Sequence, residues 1–445
     1  MSDTPYPAAR YAWYVVFVLL LAYILAFVDR EIIAQLVGGI KQDFSASDKD
    51  ISLLLGGAFA LFYTGFAMPI AWLADRGSRK WLLTFGIFVW SCATMLCGLA
   101  DTYWYLFLAR MFVGVGEATL NPCALSMIKD YFPPERIGRA IGLYTAGVSS
   151  GSGLAFIIGA AVYPGLVIAG PQSLPLLGVL QPWQQMFVYV GLPGLIITLL
   201  MLTVREPARR LNPALSDIAN RPASFRDTLL FVGRRWRAYA VLYVSLSAMA
   251  IMAYGISLWI PEFLKRSYAL TDVSVAPFLR ARGLIAITVG LLGVLLGGYL
   301  CDRFRKAYDD AYVRVCILGY VFMAVGYSTF TLMPTPALAI AILIPATFGA
   351  AIPTAAGAAS IIAIAPPNMR AKIVAIYYFT LNFIGLFAGP WLVATVTQDF
   401  FHDEKQLRYS LAIVAAGVTI LGIVGLFFCL KPYRAATREA AQWAL

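Results

Sequence analysis

The sequence has little charge and almost no histidine. Of its 445 residues, 13% are Asp, Glu, Lys or Arg, 60% are hydrophobic, and the mean hydropathy is +0.76. This leaves too little polar surface to cover a soluble globule of this size, so the composition indicates an integral membrane protein. The one histidine, His402, falls in a predicted outer loop. A histidine proton relay and a histidine-rich metal site are therefore excluded, and carboxylates remain as candidate proton carriers.

Signatures of enzymes and of ATP-driven pumps are also missing. The sequence has no G-x-x-x-x-G-K-[ST] nucleotide loop, and Gly114-Val-Gly116 lies in an apolar helix with no preceding strand, unlike a dinucleotide loop. A membrane enzyme would need a nucleophile with a base, or a metal cluster. We therefore predict a protein that is not an enzyme, with no catalytic residue, no metal and no cofactor. A channel or scramblase stays open as an alternative, but it would not saturate or depend on a proton gradient.

Long apolar runs dominate what is present. They are continuous and far longer than the roughly 10-residue alternating strands of a membrane barrel, which indicates an all-α fold. The first run has no small-residue cleavage signature and is predicted to be a retained helix. We predict twelve spans: 13–40, 51–73, 81–100, 103–128, 138–162, 184–204, 238–261, 280–301, 311–333, 337–364, 371–396 and 407–430. The cysteines, which fall in these spans or at their inner ends, are predicted to be free thiols: Cys92, Cys97, Cys123, Cys301, Cys316 and Cys429.

Basic residues are divided unequally between the two sides of these spans. Of the 34 Lys and Arg, 24 fall on the side that holds both termini, 8 on the other, and Arg30 and Arg110 lie deep inside spans. The crowded side is predicted to be cytoplasmic. We expect a multi-pass protein of the bacterial inner membrane with both termini in the cytoplasm. Topology explains the formal net charge of +11, so no nucleic-acid partner is predicted.

The longest internal polar stretch, 205–237, divides the chain into halves of 1–204 and 238–445. It is predicted to be a cytoplasmic linker between two six-helix bundles. Within it, 225–236 is either a short basic amphipathic helix at the inner membrane surface or an ordinary solvated segment.

The two halves repeat each other. Asp75 and Asp302 end the second span of their half beside basic residues, and the Pro-Pro pairs that begin at Pro133 and Pro366 precede the fifth spans. Duplicated halves around a linker are typical of a transporter whose site lies between two helical bundles.

Four charged residues are predicted to lie in one layer of the membrane. Arg110 and Glu117 in the fourth span are almost two helical turns apart and face the same side, and Asp29 and Arg30 in the first span lie at similar depth. Ionised groups in lipid are costly and usually mark function. The alternative, an ion pair that only locks helices, is less favoured because buried ion pairs stabilise poorly. Glu31, on the side of the helix opposite Asp29, is predicted to point outward and nearer the surface.

Motifs at several points resemble a known family. The stretch DRGSRK at 75–80 resembles the inner-loop motif of the major facilitator superfamily, and RMFVGVG at 110–116 resembles its fourth-helix motif. Ser78 and Ala71 stand where that inner-loop motif has glycine. Further stretches, in the same order along the chain, resemble the spinster-like branch: FVDRE, GVGEA, FPPER, GLPGL, TVREP and NFIGLFAGP.

The resemblance implies a monomer of two pseudo-symmetric six-helix bundles that works by alternating access. It implies proton coupling by Glu117 and Asp29 and substrate binding by Arg30 and Arg110. It also implies cavity residues, for which we name Tyr63, Tyr144, Tyr254, Trp259, Tyr377 and Asn382. The gating motif would comprise Asp75, Arg76, Arg79, Asp302 and Arg303, with Asp75 near the start of the eleventh span.

Together these features predict a proton-coupled secondary transporter in the bilayer. Two intramembrane guanidinium groups suit an anionic or zwitterionic, partly apolar substrate, either a lysolipid or an organic acid. The energy source would be the proton gradient. Proton-linked uptake of an organic anion is the alternative direction, and a membrane-embedded lipid enzyme is less favoured than either.

Overall fold

The computed structural model describes residues 6–175, 177–210 and 224–442, except for the side chains of Ala355 and Ala371. Residues 211–223, the middle of the predicted linker, lie outside the described residues. Among these described residues, twelve helical spans are long and apolar enough to cross a membrane, which confirms the predicted number. Their ends agree with the predicted ends to within a few residues in most cases, and the largest extension carries the last span to Ala441.

The first six spans contain eleven helical segments, of which Leu53–Gly57 is a π-helix. In chain order they are Ala9–Glu31 and Ile33–Phe44; Asp48–Ser52, Leu53–Gly57 and Ala58–Arg76; Arg79–Cys97; Tyr103–Glu117 and Leu120–Tyr131; Pro134–Thr145 and Gly147–Ala169; and Pro182–Thr203. A short antiparallel hairpin, Gln172–Leu174 with Gly178–Leu180, joins the fifth span to the sixth, with Ser173 opposite Val179.

The last six spans follow a short surface helix, Phe225–Arg234, whose start is capped by Ser224 and Asp227. In chain order their segments are Trp236–Ala250, Ile251–Ile256 (π) and Ser257–Tyr268; Ala276–Arg305; Ala311–Thr329 and Phe330–Leu332 (3-10); Pro336–Ala363; Arg370–Phe383, Ile384–Ala388 (π), Gly389–Thr395 and Val396–Phe400 (π); and Glu404–Gln406 (3-10) and Leu407–Ala441. The helix at 225–234 agrees with the amphipathic-helix alternative.

The described residues fall into two compact units. Those of Ser2–Arg210 and Leu258–Ile287 form one, which we call the first unit, and those of Leu211–Ser257 and Thr288–Leu445 form the second unit. We call the ends of the spans inner where the sequence predicts the cytoplasmic side and outer where it predicts the opposite side. The outer end of the seventh span and the beginning of the eighth therefore pack within the same unit as the first six spans. All of the membrane-buried charges described below belong to the first unit.

The backbone hydrogen bonding of the two helices that carry the predicted charges changes locally beside those charges. In the first span the change falls at Ile32, directly after Asp29, Arg30 and Glu31, and in the fourth it falls directly after Glu117. In the first span a backbone hydrogen bond joins residues three apart instead of four: the amide of Gln35 donates to the carbonyl of Ile32. Ile32 and Ala118 keep right-handed helical backbone angles, and their amides donate to the carbonyls of Val28 and Gly114, so each span continues as one helix through this point.

Close helix contacts fix this region of the first unit. A Cβ atom placed on Gly114 would lie 2.7 Å from the carbonyl oxygen of Phe59, so only glycine lets the fourth span approach the second this closely. A Cβ on Gly153 would lie 2.5 Å from the carbonyl oxygen of Gly283, which brings the fifth span against the eighth. Backbone contacts of this kind leave little freedom for the neighbouring charged side chains.

Candidate functional site

An ion pair between the first and fourth spans is the centre of the site. Arg30 Nη2 donates to Glu117 Oε2 at 2.6 Å, and these side chains are only 6% and 1% exposed. The second carboxylate oxygen of Glu117 has no hydrogen-bond partner among the described residues. The pair confirms that these two predicted residues lie in one layer, while leaving one oxygen of the carboxylate available to a proton.

Arg110 and Asp29 lie beside this pair but do not bond to each other through their side chains. Arg110 Nη1 donates to the backbone carbonyl of Asp29 at 3.1 Å. Asp29 Oδ2 accepts a hydrogen bond from Thr94 Oγ1 at 3.3 Å. Within the described structure, Arg110 Nε and Nη2 and Asp29 Oδ1 have no hydrogen-bond partner, although both residues are fully buried. Two ionisable groups therefore lie side by side, and each keeps polar atoms that make no hydrogen bond within the described structure.

Aromatic rings surround the guanidinium group of Arg30. Its Cζ atom lies 4.8 Å from the ring centre of Phe27, 4.4 Å from that of Phe59 and 5.1 Å from that of Tyr63. Such cation–π contacts stabilise a cation where water is absent. The rings therefore hold Arg30 in place beside Glu117, and its planar guanidinium group has the geometry to bind an oxyanion.

Glu31 does not lie where the sequence analysis placed it. Its side chain is buried, and Oε2 accepts a hydrogen bond from Ser152 Oγ on the fifth span at 2.8 Å. The expectation of an outward position was wrong because the fifth span packs on that side of the first span: a Cβ on Gly151 would lie 2.6 Å from the carbonyl oxygen of Ile24. The first helix therefore presents charged groups to protein on two sides.

Asn121 joins two of the predicted cavity tyrosines. Tyr144 Oη donates to Asn121 Oδ1 at 2.8 Å, and Asn121 Nδ2 lies 3.4 Å from Tyr63 Oη as a donor. Tyr144 also stacks on Tyr23, with ring centres 4.6 Å apart. Asn121 was not among the sequence candidates, although its position one turn beyond Glu117, in an otherwise apolar segment, could have indicated it.

The remaining cavity candidates occupy different surroundings. Trp259 belongs to the first unit, is fully buried, and has Arg266 Cζ 5.7 Å from its ring centre. Tyr377 is buried in the second unit, with its ring centre 6.0 Å from that of Tyr243. Asn382 donates to the carbonyl of Tyr378 in its own helix at 2.9 Å. Tyr254 lies in the π-helical segment Ile251–Ile256 of the second unit. Their roles in binding stay predictions.

The gating candidates of the first unit divide into one buried and two exposed residues. Arg79 is buried and bonds to Asp130, to Glu206 Oε1 at 2.8 Å, to Ser126 Oγ at 2.9 Å and to the carbonyl of Pro207 at 2.9 Å. Asp75 and Arg76 are exposed, and the guanidinium of Arg76 stacks on the ring of Trp72 at 4.2 Å. Arg79 therefore ties the third, fourth and sixth spans together at their inner ends.

In the second unit the buried acid at the inner ends of the spans is Asp310. It accepts hydrogen bonds from Arg314 Nε at 2.7 Å and Arg434 Nε at 2.6 Å. Burial disfavours its charged form, but the hydrogen bonds and charges of the two arginines outweigh burial and hold the pKa of Asp310 below its ordinary value. The predicted gating residues of this half, Asp302 and Arg303, are both exposed.

At the outer end of the first unit, a second set of charges is paired throughout. Asp48 accepts hydrogen bonds from Lys41 Nζ at 2.7 Å and from both terminal nitrogens of Arg266, at 2.7 and 2.9 Å. Lys265 Nζ lies 2.5 Å from Glu262 Oε1. Beside this outer ion cluster a cavity of about 10 Å³ has room for roughly one water molecule. The cluster holds the end of the seventh span against the first two spans.

Comparison with known proteins identifies the fold seen here. The profile of the Major Facilitator Superfamily matches residues 19–390, which is most of the chain. The chain belongs to the major facilitator superfamily. It is 27% identical to human protein spinster homolog 1 over 428 residues, covering 90% of this chain and 77% of that protein. It is 25% identical to an MFS-type efflux pump of Mycolicibacterium smegmatis, covering 97% and 96%.

A solved structure gives the same assignment. The chain superposes with a TM-score of 0.76 on the crystal structure of a bacterial homolog of the human lysosomal transporter Spinster in an inward-facing and unoccupied conformation. The two share 26% identity, and the match covers 98% of this chain and 99% of the other. The chain is a spinster-like member of the superfamily, as its motifs indicated, and a membrane transporter. Among the residues that the structure describes, no group of His, Cys, Asp or Glu is placed to hold a metal ion.

Proposed function

We propose that this spinster-like chain is a proton-coupled secondary transporter that moves an anionic or zwitterionic amphipathic molecule by alternating access. One observation carries the proposal: Glu117 is bonded to Arg30 at 2.6 Å, while the neighbouring Arg110 has donors without a hydrogen-bond partner among the described residues. A carboxylate and an incoming anion can therefore compete for the same two guanidinium groups.

The chemistry of the two arginines supports an anionic substrate group. A guanidinium offers five N–H donors in a planar fork that matches carboxylate or phosphate. Arg110 donates through one nitrogen to a backbone carbonyl. Arg30 lies among aromatic rings that can contact an apolar portion of the same ligand. A lysolipid and an aromatic acid share this combination of a charged end and an apolar body.

This competition would couple binding of the substrate to protonation of Glu117. When an anion binds Arg30 and Arg110, Glu117 loses its charge partner, and a buried carboxylate without a partner binds a proton more readily. When the anion leaves, Arg30 returns to Glu117 and the proton is released. In this scheme the loaded carrier is the protonated one, so symport results if it crosses the membrane in that state. Exchange results if the empty carrier binds a new proton before it returns. We favour proton-linked export, in keeping with the efflux-pump relative, and rank uptake of an organic anion second.

The cellular setting follows from the charge distribution along the chain. We place the protein in a bacterial inner membrane as a monomer, with both termini in the cytoplasm and the proton gradient as its energy source. The unequal division of Lys and Arg between the two sides of the spans supports this orientation. A reporter that is active only in the cytoplasm is expected to be active when it is fused to the C terminus. A reporter that is active only outside the cytoplasm is expected to be inactive there.

Reconstitution into liposomes with an imposed pH gradient tests the coupling. The probes are a lysophosphatidylcholine, a lysophosphatidylglycerol and benzoate. We expect Glu117→Gln to bind the transported probe but to lose accumulation driven by the gradient, because Gln cannot carry the proton. We expect Arg110→Ala to lose binding itself.

Glu135→Gln and Arg136→Ala are the matched controls, since these exposed neighbours carry the same charges at the inner surface. Both should transport like the unchanged protein. Accumulation by Glu117→Gln with unchanged pH dependence would show that Glu117 is structural and would leave Asp29 as the proton carrier. The gradient direction that drives accumulation distinguishes export from uptake.

A further inference from the structure

A buried arginine on the eighth span has no role in the site described so far. Arg282 lies in the helix Ala276–Arg305, and its side chain is in the first unit with a residue exposure of 4%. Two of its three guanidinium nitrogens, Nε and Nη1, have no hydrogen-bond partner among the described residues. Together these two nitrogens carry three of the five N–H donors of the group.

The surroundings of Arg282 resemble those of Arg30. The ring of Phe156 lies 5.5 Å from its Cζ atom, as the rings of Phe27 and Phe59 lie beside Arg30. Glu31 and Arg282 attract each other electrostatically, but Glu31 accepts a hydrogen bond from Ser152 Oγ at 2.8 Å and none from Arg282. The first helix thus places Arg30 toward Glu117 on one side and Glu31 toward Arg282 on another.

Backbone packing holds this second group of charges in position. Gly153 and Gly283 cross so closely that a Cβ on either would lie 2.5 Å from a carbonyl oxygen of the other. Ser152 and Arg282 are the residues directly before these glycines on the fifth and eighth spans. Arg282 therefore cannot swing toward Glu31 by a shift of either helix without breaking a tight backbone contact.

Such an arrangement is costly unless a ligand uses it. Leaving a buried donor without a hydrogen bond is unfavourable, and more so when the donor belongs to a charged group. A buried charge whose partner is present but not bonded is poorly suited to stabilising the fold, and intramembrane arginines usually mark a substrate or ion path. We propose that Arg282 is a second oxyanion-binding residue of this transporter, which takes a carboxylate or phosphate oxygen of the substrate while Ser152 holds Glu31 aside.

This inference rests on the proposed function, because it gives the anionic substrate a second point of attachment. A substrate held at Arg30 and Arg110 through one charged group would be held at Arg282 through another oxyanion. A zwitterion would use Glu31 for its cationic end. In both cases the specificity for the substrate depends on charged groups on two sides of the first helix.

The test measures thermal unfolding of the purified, full-length protein in detergent while oxyanion probes are titrated against chloride at constant ionic strength. Inorganic phosphate, benzoate and lysophosphatidylglycerol are the probes, and they distinguish a free phosphate, a carboxylate and a lipid phosphate as the source of the oxyanion. We expect at least one to stabilise the unchanged protein. Arg282→Gln should weaken the apparent affinity of that probe on the order of ten-fold, since it removes a hydrogen bond between a guanidinium group and an oxyanion.

Arg280→Gln is the matched control, because it removes the same charge from an exposed position on the same helix and should leave the affinity unchanged. Arg282→Lys, which keeps the charge without the planar fork, should fall between the two. The proposal is overturned if none of the probes stabilises the unchanged protein, or if Arg282→Gln responds as Arg280→Gln does. Arg110→Gln separates the two proposals: if it keeps the full response while Arg282→Gln loses it, the proposed role of Arg110 fails and that of Arg282 stands.

Discussion

Two fully buried arginines of the first unit differ sharply in how well they are paired. Arg79, at the inner ends of the spans, bonds through all three guanidinium nitrogens to Asp130, Glu206, Ser126 and the carbonyl of Pro207. Arg110, inside the fourth span in the predicted middle layer of charges, bonds through one nitrogen to one backbone carbonyl. Both residues belong to the same compact unit, so their difference reflects what each layer of the protein is built to do.

The inner layer uses charge to hold helices together, whereas the middle layer leaves charge partly unpaired. A buried charge stabilises only when its hydrogen bonds are complete, and breaking a complete set is expensive. In the middle layer the helices and charged side chains are fixed instead by contacts with aromatic rings, as at Phe59, and by close glycine contacts, as at Gly114. Incomplete pairing there is what allows a ligand or a proton to change which groups are bonded.

Removing the well-paired arginine should have the largest effect on stability. Arg79→Gln removes hydrogen bonds from the carboxylates of Asp130 and Glu206, and breaking a buried pair such as Arg79 with Asp130 costs about 3–5 kcal/mol. Arg110→Gln should change the free energy of unfolding by much less, because only one hydrogen bond is lost. Unfolding of both variants by denaturant in the same detergent measures the difference. A loss for Arg110→Gln as large as that for Arg79→Gln would contradict the contrast between the layers.

The twelve spans and the four central charges could be predicted because both depend on local sequence. The length of an apolar run determines whether it can cross the bilayer, and a charge inside such a run, such as Arg110, must face protein or water. Depth along a helix follows from a fixed rise per residue, which is why Arg30 and Glu117 were expected in one layer. None of these arguments needs knowledge of which helices touch.

Glu31 and Arg282 could not be predicted because their environment depends on helix crossings. Helical periodicity correctly separates Asp29 from Glu31, but it does not show that a neighbouring span covers both sides of the first helix. Arg282 lies near the predicted start of its span, where a basic residue is commonly an interface charge. Its burial follows from the contact between Gly153 and Gly283, two glycines far apart in the sequence. Asn121 itself could have been indicated by its position one turn beyond Glu117, but its partners Tyr63 and Tyr144 lie on other spans and could not be predicted.

A smaller effect is expected where packing alone supports the middle layer. Gly114→Ala would place a methyl group 2.7 Å from the carbonyl oxygen of Phe59, and such overpacking costs about 1–3 kcal/mol. It should also weaken probe binding, because the fourth span would move away from the rings around Arg30. Gly65→Ala, on the second span with nothing within 4 Å, is the control and should stabilise slightly. Equal stability of the two variants would show that close approach at Gly114 is unimportant.

The smallest effect concerns the neutral hydrogen bonds beside the charges. Tyr144→Phe removes the hydroxyl that donates to Asn121 and leaves the stacking on Tyr23 intact, so the expected loss is about 0.5–1.5 kcal/mol. Tyr189→Phe removes a hydroxyl from a partly exposed ring in the same unit and should change the free energy of unfolding by less than 0.5 kcal/mol, roughly the surface limit. Because Asn121 also contacts Tyr63, which lies beside Arg30, freeing Asn121 should weaken benzoate binding in the thermal titration more than it lowers stability. A stability loss with unchanged benzoate affinity would assign these hydrogen bonds to the scaffold and not to the site.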